Sequence, residues 1–291
     1  MKFDITICGH TYFDIIYLLK SFPRERDDIR NPVVKKQFGG IFNTIRGLRK
    51  INKKIKIDVF TILGKDHVGN DAVKELKKLK INTNKIIRDK ETNDDIIIVN
   101  QKNNSKTVFP RTFHNKPKKL PHLHDTKWIH FMYIDNKEFL DIYANIILNK
   151  KNNQIFSADI SNKTFKNTNV KKYLPFFDFL IFSTKELNSI LEGSNYKNFS
   201  PIVLKKLQDL NKTVPHIIVH SKNKSIYLND KKIIEFKYSN KIYDKLNILG
   251  AGDNFASCIL NDAITAGAIT KLSLKKAHYF ATSYCLENKN I

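Results

Sequence analysis

Apolar residues along this chain fall into two rhythms, and the alternation between them predicts its architecture. Short, nearly continuous apolar runs stand at Phe3 to Cys8, Ile57 to Leu63, Trp128 to Ile134, Ile155 to Asp159, Phe177 to Phe182 and His216 to His220. Runs of that length, bounded by turn residues, predict buried strands. Between them apolar positions recur at helical spacing, as in Ile41, Ile45 and Leu48, or Ala72, Val73, Leu76 and Leu79. The same spacing returns near the end in Phe255, Ile259, Ala263 and Ala266, and in Leu274, Ala277, Ala281 and Tyr284. Asp94 to Gln101 and Lys106 to Thr112 read as two strands joined through Lys102-Asn103-Asn104-Ser105, a hairpin-type turn. Residues 18–38 hold short strand-like pieces punctuated by Pro23, Arg24, Asp27, Asp28 and Pro32. Strands alternating with helices predict an α/β fold built on a doubly wound parallel sheet. There is no internal repeat and no low-complexity linker, and 291 residues suffice for one large domain or two smaller ones.

Composition changes this picture in one respect, the charge. The net charge is +23, which raises the question of nucleic acid. Only seven of the 51 basic residues are Arg (Arg24, Arg26, Arg30, Arg46, Arg49, Arg88 and Arg111), and the Lys residues are spread along the chain. That is a solvated basic surface, without the Arg interleaved with aromatics that grips nucleic acid, so no specific nucleic-acid partner is expected. Hydrophobic content of 41% with 27% charged residues fits a water-soluble chain. No apolar run reaches the length of a membrane span, and Met1-Lys2-Phe3-Asp4 begins neither a signal nor a transit peptide. Cys8, Cys258 and Cys285 are odd in number and far apart, so reduced thiols and a cytoplasmic location are expected.

The candidate chemistry centres on Asn247-Ile248-Leu249-Gly250-Ala251-Gly252-Asp253. Two glycines around one small residue let the backbone turn sharply and approach a ligand, and the helix that follows presents unpaired N–H groups to an anion. Asp253 would repel a bound pyrophosphate, and the third glycine of a dinucleotide fingerprint is missing. A different division of labour fits: N–H groups hold a phosphoryl group in flight while Asp253 takes a proton from the attacking hydroxyl. The plainer alternative is a helix cap carrying a favourable N-terminal charge. A second glycine pair, Gly39-Gly40, precedes the helix that begins with Ile41-Phe42-Asn43. Asn43 there offers both donor and acceptors to a polyol. Asp14 lies a few residues past the first strand, near the carboxyl edge where such sheets bind ligands. The P-loop pattern is absent, so phosphoryl transfer requires another cradle. His122-x-His124, beside His114 and His130, has no acidic or thiol partner at ligand spacing and reads as loop histidine.

These blocks, in this order, resemble the ribokinase-like sugar kinases, the PfkB family. Gly250-Ala251-Gly252-Asp253 resembles its second signature, Gly39-Gly40 with Asn43 its first, and Gly9 to Asp14 its G-x-x-x-x-D opening. The G-x-D-x-x-G block from Gly64 to Gly69 resembles the segment between the signatures, and is read mainly as a turn and helix cap. The resemblance implies a ribokinase-like sheet with helices on both faces and a small β lid, formed discontinuously by about 13–38 and 93–113 of a single domain. It implies ATP- and Mg²⁺-dependent phosphorylation of a hydroxyl on a sugar or sugar derivative. The nucleoside kinases of the same fold are the alternative, and a catalytically impaired sugar- or nucleotide-binding descendant a third reading. Asp253 would be the base, Gly250, Ala251 and Gly252 the anion hole, and Asp14, Gly39, Gly40 and Asn43 the substrate side. Glu186 would help place Mg²⁺ through water, although Ser183 and Glu186 also make a capping box. A homodimer through the lid is an assembly the resemblance permits.

The chain departs from the family on several counts. The first signature is one residue shorter than in most members, and Ile41-Phe42 replaces small residues. Ser183 stands where the family commonly has Asn, and Lys222 and Ser225 where it has glycines that meet the nucleotide. Asn247 replaces the Asp that helps bind a monovalent cation, so little potassium dependence is expected; Asp244 substitutes only with a local insertion. Tyr12 is expected to share a face with Asp14, and Phe109 with Arg111, which raises base stacking as a possible use for the aromatics.

Overall fold

The run Phe3–Cys8 forms β1, and the main sheet grows from it in both directions. The structure is a computed structural model. It describes residues 2–103, 105–111, 121–123, 126–132, 137–160, 171–187, 191, 199–239 and 249–287. On one side of β1 lies β4 (Ile57–Phe60), and on the other β9 (Thr126–Phe131), both parallel to it. Beyond β9 come β10 (Ile155–Asp159), β11 (Phe179–Ser183) and β12 (His216–His220), all parallel. The antiparallel strands β13 (Lys224–Asn229) and β14 (Lys232–Lys237) complete the eight-stranded sheet. The chain first moves from β1 to β4 and later returns on the other side of β1. That reversal opens a crevice at the carboxyl ends of the strands.

Helices cover both faces, as α/β alternation requires. On one face, α1 (Ile41–Ile51), α2 (His67–Lys78), α5 (Ala251–Ala266) and α6 (Lys271–Glu287) pack on Ile5, Ile7, Trp128, Ile181 and Ile218. On the other, α3 (Lys137–Leu148) and α4 (Pro201–Asn211) cover Phe131, Phe156, Leu180 and Val219. The helical faces expected from spacing are the buried ones: Ile41, Ile45 and Leu48 in α1, Ala72 and Leu76 in α2, Leu274, Ala277 and Ala281 in α6. Ala266 is the exception, exposed in the last turn of α5 just before Gly267 caps the helix at φ 67°.

The other expectations shift at element ends. Ile57 to Leu63 is two strands, because pairing with β1 ends at Phe60. The chain then swings off the sheet edge, and β5 (Ile62–Gly64) pairs with β6 (Ile87–Asp89) in a separate two-stranded sheet. Phe177 closes a short 3₁₀ turn around Pro175, so its strand starts only at Phe179. Ile134 and Thr112 lie outside the described residues.

A third, four-stranded sheet has the order β3 (Val33–Phe38), β2 (Phe13–Leu19), β7 (Asp94–Asn100), β8 (Ser105–Arg111). One of its faces carries Ile16, Leu18, Ile97 and Val99, which are buried and have Leu249 packed against them. The small sheet thus sits over the chain just ahead of α5.

Candidate functional site

Two helix N-termini meet beneath the small sheet, and each is opened by a glycine in a conformation other residues avoid. Gly250 caps α5 at φ 79°, ψ 0°, and Gly40 caps α1 at φ 61°, ψ −126°. A Cβ on Gly40 would lie 2.2 Å from the His10 carbonyl oxygen, and one on Gly39 2.3 Å from an Asp14 carboxylate oxygen. The paired glycines are therefore what lets β1, β2 and α1 converge. Gly47 plays the same part between helices, since a Cβ there would fall 2.5 Å from Ser257 Oγ of α5.

That close packing brings Asn43 to Asp253. Asn43 Nδ2 donates to Asp253 Oδ2 at 2.9 Å, joining residues 210 positions apart. Asp253 is 7% exposed in the first turn of α5. Ser257 Oγ reaches both the Asp253 and the Thr44 carbonyls, at 2.7 and 3.1 Å, and Asn254 Nδ2 donates to the Gly250 carbonyl at 2.9 Å. Gly252 has ordinary helical geometry, and a Cβ there would come no closer than 3.7 Å to His220. Protein packing does not demand its glycine. Its bare Cα instead leaves space above the helix-start N–H groups.

Asp14, on β2, is 5% exposed. Burial raises its carboxyl to about 7, with Asp95 and Asp253 adding repulsion against the Gln37 hydrogen bond and the Lys106 charge. Two of those neighbours have no place in any motif. Asp95 faces Asp14 in register across β2 and β7, and burial followed by Asp94 pushes it up to about 6, with Lys106 opposing. Lys106 lies on β8. Although solvent reaches much of its side chain, crowding around its ammonium lowers its pKa, against the pull of Asp253, Asp14 and Asp95. The signal for Asp95 lies in the two-residue period of its strand, which aligns it with the apolar Ile97 and Val99. A carboxylate on an apolar face is rarely idle.

The other expected site residues fall around this centre. Glu186 turns back on its own cap: Ser183 N donates to its carboxylate at 2.7 Å, and Ser183 Oγ donates to the same oxygen. Burial raises its pKa, while those hydrogen bonds lower it. His220, at the end of β12, stacks on Phe255 at 4.5 Å, and burial, with His278 and Lys185, drives its pKa down to about 3. It is therefore neutral beside Gly252. Tyr12 lies over Gly40, with its ring 5.6 Å from that of His10.

Two expectations need correction. Ser225 does not stand in the turn after β12; it is a fully buried β13 residue in register with His220, whereas Lys222 is exposed in that turn. Phe109 and Arg111 do share a face, but it is the one opposite Asp95, where Arg111 pairs with Asp94. They lie on the side of the sheet away from the centre. Asn247, Asp244, His114 and His124 lie outside the described residues. Among the described residues no group of three or more His, Cys, Asp or Glu is placed to hold a metal ion, and no helix is long and apolar enough to cross a membrane.

Comparison with known proteins gives a consistent result. Residues 2–288 match the model of the pfkB family carbohydrate kinases. A nucleoside kinase of Methanocaldococcus jannaschii is 26% identical over 286 residues, covering 93% of this chain and 86% of that protein. Its crystal structure, described as an archaeal member of the ribokinase family, superposes with a TM-score of 0.74 at 22% identity, over 97% of this chain and 91% of that one. A ribokinase of Cryptococcus neoformans in complex with ADP gives 0.75 at 13% identity, over 96% and 92%. A nucleoside kinase of Burkholderia thailandensis in complex with inosine gives 0.73 at 12%, over 95% and 89%. At these identities the structural likenesses establish the fold.

Proposed function

The chain belongs to the pfkB family of carbohydrate kinases, phosphotransferases that act on a hydroxyl group and use ATP, and we propose that Asp253 is its catalytic base. The observation that carries this reading is the Asn43–Asp253 hydrogen bond at the meeting of two glycine-opened helix starts, with Asp14 across the gap. An acceptor hydroxyl held between Asp14, Asn43 and the Gly39-Gly40 backbone lies against Asp253. As its oxygen bonds to the γ-phosphorus, its proton passes to Asp253, and the bridging P–O bond breaks to release ADP. The N–H groups at the start of α5, around Gly250, Ala251 and Gly252, stabilise the transferring phosphoryl group. Such a transition state is loose, so positioning and charge matter more than a strong base.

ATP then occupies the side of α5 bordered by His220, Lys222 and Glu186. Mg²⁺ binds mostly through nucleotide phosphates and its own waters, and asks the protein for only one or two carboxylates. Glu186, half-buried with a raised pKa, fits that modest requirement once its cap opens to the metal's water shell. Bound Mg²⁺ would neutralise charge developing on the phosphates. The small sheet, drawn from 13–38 and 94–111, acts as a lid over the acceptor within one ribokinase-like domain. The cytoplasm supplies the ATP and suits the three buried, unpaired cysteines.

A nucleoside is the acceptor class favoured by the M. jannaschii relative, which matches over 93% of this chain, whereas the family as a whole points to simple sugars. An assay of ATP consumption across a panel of sugars and nucleosides decides between them. Asp253→Asn keeps the shape and removes the basicity, so turnover should fall by about 10²–10⁴-fold in a folded protein. Near-normal kcat in that variant removes Asp253 from the mechanism.

A further inference from the structure

Asp94 and Asp95 are neighbours in β7 with opposite surroundings. Asp94 turns to the outer face and pairs with Arg111, a structural ion pair complete in itself. Asp95 turns inward, on the face that carries Asp14 in register with it and Ile97 and Val99 packed with Leu249. Its Oδ1 is fully buried and has no hydrogen-bond partner among the described residues. A buried carboxylate oxygen left unsatisfied is costly. Lys106 supplies nearby positive charge, yet that oxygen still lacks a donor. Asp14, by contrast, accepts from Gln37 and borders Gly39 and Asp253. Adjacent strands lie about 4.8 Å apart, so two in-register carboxylates converge on one small polyol surface.

We propose that Asp95 is a second acceptor-reading carboxylate, which together with Asp14 grips two adjacent hydroxyls, so that a vicinal diol is the feature the enzyme selects. This deepens the kinase reading and rests on it. Each carboxylate accepts a hydrogen bond from one hydroxyl, and the diol supplies the donor that Asp95 Oδ1 lacks. Asp14, raised to about 7 by burial and by Asp95, keeps part of its proton near neutrality, which spares the pair the full repulsion of two charges.

The test uses the full chain, ATP and two matched acceptor pairs, inosine with 2′-deoxyinosine and adenosine with 2′-deoxyadenosine, within the wider acceptor panel. Wild type should prefer the diol member of a pair. Asp95→Asn, nearly isosteric, should raise the KM of the diol acceptor about tenfold or more with kcat within about threefold, and leave the deoxy acceptor unchanged. Tenfold corresponds to about 1.4 kcal/mol. Asp94→Asn should move neither. An unchanged diol KM in Asp95→Asn, an equal shift for diol and deoxy acceptors, or the same shift in Asp94→Asn would each overturn the assignment. Absence of ATP turnover by wild type across the whole panel defeats the kinase reading itself, and so is distinct from a turnover that Asp95→Asn fails to alter.

Discussion

Asp14→Asn should make the free protein more stable at pH 8 and leave its stability unchanged at pH 4. A carboxyl whose folded pKa is about 7, against an ordinary 3.8, holds its proton longer folded than unfolded. The unfolded chain therefore binds fewer protons between those values, and folding stability falls as pH rises through that window. Above it the full difference applies, about 4 kcal/mol for three pKa units. Asparagine removes the charge but keeps an oxygen for the Gln37 hydrogen bond. Some of the strain belongs jointly to Asp95 and Asp253, so a gain of about 2–4 kcal/mol is expected at pH 8. The assay is urea unfolding of both proteins at pH 4, 6 and 8, where the comparison at each pH cancels the titrations that are not coupled to Asp14. The difference should grow from near zero through pH 6 to its full value at pH 8. An Asp14→Asn protein less stable than wild type by the same margin at all three pH values would show that this carboxyl carries no burial strain. Under the proposed mechanism the stabilised variant loses acceptor affinity, the usual exchange of stability for function at a binding site.

Three further substitutions test the glycines and the nucleotide side. Gly40→Ala forces a side chain into φ 61° and toward the His10 carbonyl, and should destabilise by about 2 kcal/mol or more in denaturant unfolding. Gly252→Ala meets only His220, at 3.7 Å, so the protein should fold as well as wild type or better while ATP turnover falls. Equal activity would show that nothing approaches that Cα. On the proposed placement of ATP, Lys222→Gly should weaken ATP binding by about 0.5–3 kcal/mol in titration calorimetry, as loss of a charged hydrogen bond to phosphate would; tighter binding would identify Lys222 as an obstruction.

The proposed phosphoryl side of this site was legible in the sequence because its residues are contiguous. Gly250, Ala251, Gly252 and Asp253 form one turn and one helix start, so local backbone rules suffice to read them as an anion cradle with an acid beside it. Gly39, Gly40 and Asn43 are similarly compact, and the physical reason for each glycine emerges only in space: Gly39 yields to Asp14, Gly40 to the His10 carbonyl. The acceptor side was less legible because it is assembled by strand pairing. Asp95 and Lys106 reach Asp14 only through the order β3-β2-β7-β8, a parallel pairing across some eighty residues that periodicity within one strand cannot anticipate. The same limit explains Ser225, which looked like a turn residue until its register with His220 placed it inside the sheet. A sequence motif records what one segment does to its own backbone. On the proposed mechanism selectivity is written across strands: the proposed base and cradle come from α5, while the groups facing them come from β2, β7 and β8. Substitutions in the small sheet should therefore change which acceptor is used, and substitutions in the α5 turn whether any acceptor is phosphorylated at all.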